Sequence, residues 1–229
     1  MSAIGPLKIF TFAVITSFFT VFAPVAAENA TNGAATSNKA QAPLEILAFG
    51  DSLTAGYGLP PGEGFTDQLQ VWLRTHISGG VKVTNGGVSG DTSSGGRSRL
   101  EWALAPIKNG QPDLVILELG AHDALRGVSP VLTRENMDAM VAVLVARNIP
   151  VLIAGMKATP SWGPEYSAAF DGIFPDLAQK YNVPLYPFFL EGVVANPALN
   201  QSDGLHPTKE GVAIIVNKIG PVVAALLSP

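Results

Sequence analysis

The sequence predicts an α/β fold, a three-layer α/β/α sandwich built on a five-stranded parallel sheet. Five short runs rich in Val, Ile and Leu alternate with longer segments of helical periodicity. The runs are apolar on both faces, which is typical of strands that helices cover on both sides of a parallel sheet. Ligands bind such sheets beyond the carboxyl ends of the strands, so function is expected in the loops that follow them.

The individual elements follow the order of these runs along the chain. Strands are predicted at 45–49, 81–84, 113–119, 150–154 and 183–187. Helices are predicted between and after them at 65–75, 95–105, 134–147, 165–181 and 209–227. Strand–helix alternation requires right-handed crossovers, which bring all the loops that follow strands to one rim. Three glycine-bearing segments, "GDSLTAGYG", "NGGVSGDTS" and "GAHDALRG", follow the first three strands and are expected to meet there.

The N-terminal residues differ from the rest of the chain. Residues 1–27 carry Lys8 and an apolar stretch, and end on the small residues Val25-Ala26-Ala27, which predicts a signal peptide cut after Ala27. An uncleaved membrane anchor is the alternative, but the stretch is shorter than the ~20 apolar residues of a comfortable span. Residues 28–43 are small and polar and are predicted to be a disordered tether, and 44–229 the folded domain. We expect an exported bacterial protein, periplasmic or secreted, without a stable membrane anchor.

Charge and composition exclude several classes of function. The net charge is −4, from 14 basic and 18 acidic residues, and the basic ones are scattered. A nucleic-acid partner is therefore not expected, since counterion release needs clustered Lys and Arg. The chain has no Cys, and its three His are far apart without an H-E-x-x-H pattern, so no metal site is predicted. A phosphate loop is not expected either, because the glycine-bearing segment "GYGLPPGEG" does not end in Lys-Ser/Thr.

A serine and a histidine stand out at the predicted rim. Ser52 lies in "AFGDSLTAGYG", directly after the first strand, and either caps a helix or acts as a nucleophile. His206 lies in "SDGLHPTKEG", after the last strand and three residues beyond Asp203. A carboxylate at that offset can hold the imidazole by its Nδ1–H and leave Nε2 free to accept a proton. The alternative is an ordinary turn before the C-terminal helix.

Four segments together resemble the GDSL, or SGNH, hydrolase superfamily, whose fold is flavodoxin-like. "FGDSLTAGYG" resembles its first sequence block, "GVSGDTSSGG" the second, "LELGAHDALRG" the third and "DGLHP" the fifth. Their order and spacing agree with the family across roughly residues 44–228. Within the family, "SGDTS", "ELG" with "ALRG", and "VPLYPFF" are similar to bacterial periplasmic arylesterases and to the multifunctional thioesterase and lysophospholipase group.

The resemblance implies a role for each site residue. Ser52 would be the nucleophile, His206 the general base and later general acid, and Asp203 the group that orients His206. The oxyanion hole would use the backbone N–H groups of Ser52 and Gly90. Its third donor is normally an Asn side chain, and His122 stands at that position here. We expect His122 to donate with reduced turnover and a different pH dependence; the alternative is that it packs at the rim.

The resemblance also implies the kind of substrate. The segment after the fourth strand carries Met156, Trp162 and Tyr166, which would form one wall of an apolar acyl pocket or, alternatively, pack as core residues. The expected partner is a small ester: an aryl or short- to medium-chain acyl ester, a thioester or a lysophospholipid. Alternatives are a carbohydrate O-acetylesterase of the same fold, a binding protein impaired by the change at His122, and a flavodoxin-like binding domain whose serine only caps a helix.

Overall fold

The computed structural model describes residues 42–228, which form five strands and eight α-helices. The strands are Leu44–Gly50 (β1), Val81–Gly87 (β2), Leu114–Glu118 (β3), Val151–Ala154 (β4) and Leu185–Tyr186 (β5). The helices are Ser52–Ala55 (α1), Phe65–His76 (α2), Ser93–Leu104 (α3), Ala121–Leu125 (α4), Pro130–Ala146 (α5), Pro164–Asp171 (α6), Ile173–Tyr181 (α7) and Lys209–Leu227 (α8). The predicted signal peptide at 1–27 and most of the predicted tether at 28–43 lie outside the described residues.

All five strands are parallel and lie in the order β2-β1-β3-β4-β5, which confirms the predicted α/β sheet. The central strands are the most buried: every residue of β3 and β4 is buried, as are the last five of β1. The chain leaves β1 toward one edge and returns to β3 on the other side. The loops after β1 and β3 therefore diverge and open a crevice at the carboxyl rim.

The predicted strands all exist, and the last one is shorter than predicted. β5 is confined to Leu185–Tyr186, whereas the apolar run predicts 183–187. Pro184 and Pro187 flank it and have no N–H to donate to β4, so the ladder ends at each of them. The carbonyl of Pro184 still accepts from the N–H of Ile153 at 3.0 Å.

The helix predictions need two corrections. The segment predicted as one helix at 165–181 is two, α6 and α7, separated at Gly172. The helix predicted from 134 begins four residues earlier, where Pro130 occupies the first turn and has no N–H to leave unpaired. α8 spans 209–227 as predicted. α1 and α4 have four and five residues and no periodic pattern, so the sequence does not reveal them.

α8 is the one helix within 42–228 that is long and apolar enough to cross a membrane, with a mean hydropathy of 1.7. Length and composition alone are weak evidence for a span, because a core helix passes the same test. α8 packs against α2, and its Gly220 lies against the Trp72 ring, where an added Cβ would come within 2.8 Å of the indole. This packing is typical of a core helix, and it fixes the chain that follows the last loop.

Gly87, at the end of β2, tests how tightly α1 is packed on the sheet. A Cβ at this position would lie 2.7 Å from Ala55 Cα and 2.8 Å from the Asp51 carbonyl oxygen, both backbone atoms. We expect Gly87→Ala to lower the free energy of unfolding by about 1–3 kcal/mol, as overpacking does. Gly64→Ala is the control, because its Cβ would meet atoms at ordinary contact distances of 3.4 and 3.7 Å. Equal thermal unfolding of the two variants would contradict this packing.

Candidate active site

Ser52 and His206 meet at the carboxyl rim of the sheet. Ser52 is the first residue of α1, and Asp51 caps that helix by accepting the N–H of Leu53 at 3.0 Å. The cap therefore falls to Asp51, and the Ser52 hydroxyl is free for another partner. Ser52 Oγ lies 2.9 Å from His206 Nε2, although 154 residues separate the two.

Asp203 orients His206 from the other side of the ring. Its Oδ2 lies 2.7 Å from His206 Nδ1, and its Oδ1 accepts the N–H groups of Leu205 and His206 at 2.9 and 3.0 Å. The hydrogen bonds from the His206 backbone and ring, followed by that from the Leu205 N–H, lower the pKa of Asp203 to about 2. The carboxylate is therefore ionised at neutral pH. It favours the tautomer that has its proton on Nδ1, which leaves Nε2 as an acceptor for the Ser52 hydroxyl.

Gln201 joins the first loop to the last. Its Nε2 donates to the carbonyl of Tyr57, in the loop after α1, at 2.8 Å, and to the carbonyl of Pro207 at 3.0 Å. The Tyr57 ring lies over the His206 ring, with centroids 4.5 Å apart and planes tilted by 39°. Tyr57 therefore packs on the imidazole, and Gln201 holds the backbone directly after His206.

His122 also faces the serine. It belongs to α4, directly after β3, and its Nε2 lies 3.4 Å from Ser52 Oγ. Burial, followed by the positive charge of Arg126, lowers the pKa of His122. The ring is therefore neutral at neutral pH and has one N–H to donate.

The buried Asp123 holds α4 in place. Its carboxylate accepts the backbone N–H of Ser93 at 2.7 Å, the Ser93 hydroxyl at 2.5 Å and the Thr133 hydroxyl at 3.0 Å. These bonds tie α4 to the start of α3 and to α5. Because His122 is the residue before Asp123, the same network fixes the backbone that positions the second imidazole.

Gly90 lies in the loop after β2, in a turn that needs glycine. Its φ is +85°, a left-handed conformation that side chains disfavour. Its carbonyl accepts from Arg126 Nη2 at 3.2 Å. Its neighbour Asp91 pairs with Arg99 Nε at 2.7 Å, and the other two nitrogens of Arg99 donate to carbonyls at the ends of β1 and β2. The loop is thus fastened to the rim, and the oxyanion role of Gly90 stays a prediction.

A cavity of about 480 Å³ opens beside Ser52, His122 and His206. Its walls are mainly apolar and include Leu125, Met156, Phe188, Leu190, Val194 and Leu205. Such a space favours an acyl chain or an aryl group placed next to the hydroxyl. Among residues 42–228, no group of three or more His, Cys, Asp or Glu side chains is arranged to hold a metal ion.

Of the three side chains predicted to bind substrate, Met156 lines this cavity and Trp162 and Tyr166 do not. Trp162 Nε1 donates to the carbonyl of Ala124 at 2.7 Å, and the Tyr166 hydroxyl donates to that of Val128 at 2.8 Å. Both aromatic residues therefore use their polar ends to fasten the segment that contains α4. Sequence character alone does not show which way an aromatic ring on a short helix points.

The structure also brings to the site residues that the sequence motifs do not identify. Gln201 and Tyr57 have no local motif, and their contact depends on the folded chain. Leu205 lies between the predicted Asp203 and His206 and is half exposed at the cavity. Phe188 belongs to "VPLYPFF". The apolar character of this segment predicts that it is buried, but it does not predict that Phe188 lines the cavity.

Comparison with known proteins identifies the family. Residues 48–214 match the model of the GDSL-like lipase/acylhydrolase family. The chain belongs to this family. It is an SGNH-type esterase, that is, a carboxylic-ester hydrolase, and the span of the match takes in both Ser52 and His206.

Two curated relatives and one solved structure are similar to this GDSL-family chain. An arylesterase of Vibrio mimicus is 38% identical, over 76% of this chain and 85% of its own. The thioesterase 1/protease 1/lysophospholipase L1 of Escherichia coli K12 is 35% identical, over 78% of this chain and 83% of its own. The crystal structure of AlinE4, an SGNH-hydrolase family esterase, is 44% identical with a TM-score of 0.67, over 82% of this chain and 98% of that one.

Gln201→Ala tests the link between the two loops. The substitution removes hydrogen bonds to the carbonyls of Tyr57 and Pro207, each contributing about 1 kcal/mol to stability. We expect kcat to fall by up to about 10²-fold, because small displacements of reacting groups are costly. Gln179→Ala, on the exposed face of α7, is the control. Unchanged steady-state kinetics in the Gln201 variant would show that the loops hold their positions without it.

His122 can be tested by replacing it with the amide that the family normally uses. His122→Ala should lower kcat by about 10²–10³, the usual effect of losing an oxyanion donor. His122→Asn should raise kcat and alter the acid side of the pH profile. Because its pKa is lowered, His122 gains a proton only in acidic solution, and an amide does not titrate. Equal rates and equal pH profiles for His122→Asn and the parent would refute the assignment.

Proposed function

We propose that this esterase hydrolyses small carboxylic esters through an acyl-enzyme on Ser52. The observation that supports it most strongly is the 2.9 Å approach of Ser52 Oγ to His206 Nε2, with the ionised Asp203 bound to the opposite ring nitrogen. A nucleophile, a base and a group that orients the base are the parts that acyl transfer needs. They lie at the mouth of an apolar cavity.

In the first step His206 acts as general base. Its Nε2 takes the proton of the Ser52 hydroxyl while Oγ bonds to the ester carbonyl carbon. The negative charge that develops on the carbonyl oxygen is stabilised by the His122 N–H and by the backbone N–H groups of Ser52 and Gly90. His206 then gives its proton to the leaving oxygen, the carbon–oxygen bond breaks, and the alcohol departs.

In the second step water replaces the alcohol. His206 Nε2 takes a proton from water, whose oxygen attacks the acyl carbon. Collapse of this second tetrahedral species returns the proton to Ser52 Oγ and releases the acid. Activity falls in acidic solution because an imidazolium cannot accept the serine proton. The cycle requires no cofactor.

The proposed substrates have an apolar acyl or aryl group. The cavity walls offer Leu, Met, Phe and Val side chains, which suit a hydrocarbon chain or ring. Similarity to an arylesterase and to a thioesterase/lysophospholipase supports aryl esters, thioesters and lysophospholipids as candidates. An O-acetylated glycan is the weaker candidate, since sugar hydroxyls would lose hydrogen bonds to water against such walls. Export to the periplasm or the medium, expected from the signal-peptide pattern of residues 1–27, is part of the proposal.

Covalent labelling tests the nucleophile directly. A fluorophosphonate should modify the wild-type protein at Ser52, and the label should be absent from Ser52→Ala. His206→Ala should suppress labelling because the hydroxyl then has no base to accept its proton. Ser98→Ala is the control, an exposed serine whose hydroxyl donates to the Gly95 carbonyl. Peptide mapping by mass spectrometry locates the adduct, and a label on a serine other than Ser52 would overturn the proposal.

A further inference from the structure

Two buried carboxyl groups lie beneath the nucleophile, and the mechanism above does not use them. Asp51 and Glu118 are both fully buried. Each has one oxygen, Asp51 Oδ2 and Glu118 Oε1, that finds no hydrogen-bond partner among the described residues. Two ionised carboxylates in this position would each need compensation that the surroundings do not provide.

The Glu118 side chain fastens α1 to the sheet. Glu118 ends β3 and lies opposite Gly50, the last residue of β1. Its Oε2 accepts the Thr54 hydroxyl at 2.7 Å and approaches the Asp51 N–H at 3.4 Å. A Cβ at Gly50 would collide with Thr54 Oγ1 and Glu118 Oε2, so only glycine leaves room for this carboxyl. Glu118 thus contacts Asp51, directly before Ser52, and Thr54, two residues after it.

The surroundings distinguish the two carboxyls. Burial raises the pKa of Asp51 to about 7, although the hydrogen bond from the Leu53 N–H opposes that rise by stabilising the ionised form. Burial raises the pKa of Glu118 well above its ordinary 4.5, and a negative charge on Asp51 raises it further. Asp51 caps α1 by accepting the backbone N–H of Leu53 at 3.0 Å, which favours its ionised form, so we take Glu118 as the member of the pair that keeps its proton.

The other charged groups near the pair come from four different elements. Asp91, after β2, and Asp123, on α4, disfavour ionisation of Asp51, and His206, in the last loop, favours it. Arg99, on α3, donates to the Gly50 carbonyl, the residue opposite Glu118.

We propose that Glu118 is a positioning residue that works in its protonated form, holding α1, and with it Ser52, against β3 as a neutral group. A second ionised carboxylate here would repel Asp51 across the turn that carries the nucleophile. The effect on rate rests on the proposed function, because it acts through Ser52. The protonation state of Glu118 can be measured independently of any activity.

Infrared spectroscopy gives the direct test. At a pH above the Asp51 pKa of about 7, the wild-type protein should retain the C=O stretch of a protonated carboxylic acid. Glu118→Gln should lack this band, and Glu135→Gln, an exposed carboxylate on α5, should keep it. Absence of the band in the wild-type protein, or its persistence in Glu118→Gln, would overturn the proposal.

The pH dependence of stability is the second readout. In the folded protein Glu118 keeps a proton that the unfolded chain releases above pH 4.5, the ordinary pKa of a glutamate. The free energy of unfolding therefore falls as pH rises above that value. Glu118→Gln cannot ionise, so its free energy of unfolding should fall less steeply with pH than that of the wild type. An identical slope in denaturant titrations of the two proteins would contradict a protonated Glu118.

Kinetics then separate positioning from packing alone. Glu118→Gln should keep kcat close to the wild-type value, because an amide copies the neutral acid and still accepts from Thr54. Glu118→Leu should lower kcat by about 10²-fold with little change in KM, as expected for a misplaced nucleophile. A Gln variant as slow as the Leu variant would overturn the proposal. Fluorophosphonate labelling of the wild-type Ser52 shows separately whether the proposed function holds, and if the Leu variant does not fold, the Gln and infrared results still decide.

Discussion

The hydrogen bond between Ser52 Oγ and His206 Nε2 is the contact on which the account of this protein depends. It joins the first loop of the domain to the last. The parallel sheet brings both to one rim, the packing of α8 on α2 fixes the chain beyond His206, and Gln201 ties the two loops together. The fold therefore acts as a frame that holds an imidazole at proton-transfer distance from a hydroxyl.

The site has a second imidazole at the serine, since His122 Nε2 lies 3.4 Å from Ser52 Oγ. The resemblance of the third sequence block implies an Asn at this position, and the lowered pKa of His122 keeps its ring neutral beside His206. A neutral His122 ring can still donate one N–H to an oxyanion, whereas a protonated ring would place a positive charge beside His206. The ionised Asp203, which lies 2.7 Å from His206 Nδ1, supports the proposal that His206 is the base.

The parts of this structure with repeated patterns were predictable, and the parts fixed by single contacts were not. β1, β3 and β4 are apolar on both faces, so their places in a buried sheet follow from composition. Ser52 follows the end of β1 and His206 lies in the loop before α8, and both belong to recognisable motifs. The contact of Gln201 with Tyr57 spans 144 residues and has no local signal. Trp162 shows the same limit, since an aromatic ring fits a cavity wall and a loop anchor equally well in sequence.

Trapping the acyl-enzyme tests the central claim most directly. The protein is mixed with an activated aryl ester, quenched in acid within the first turnover, and analysed by intact mass and peptide mapping. We expect one acyl group per chain, on Ser52, that accumulates in wild-type protein and is absent from Ser52→Ala. Hydrolysis by the wild-type protein at full rate in single-turnover conditions, with no acyl group ever attached to Ser52, would contradict it.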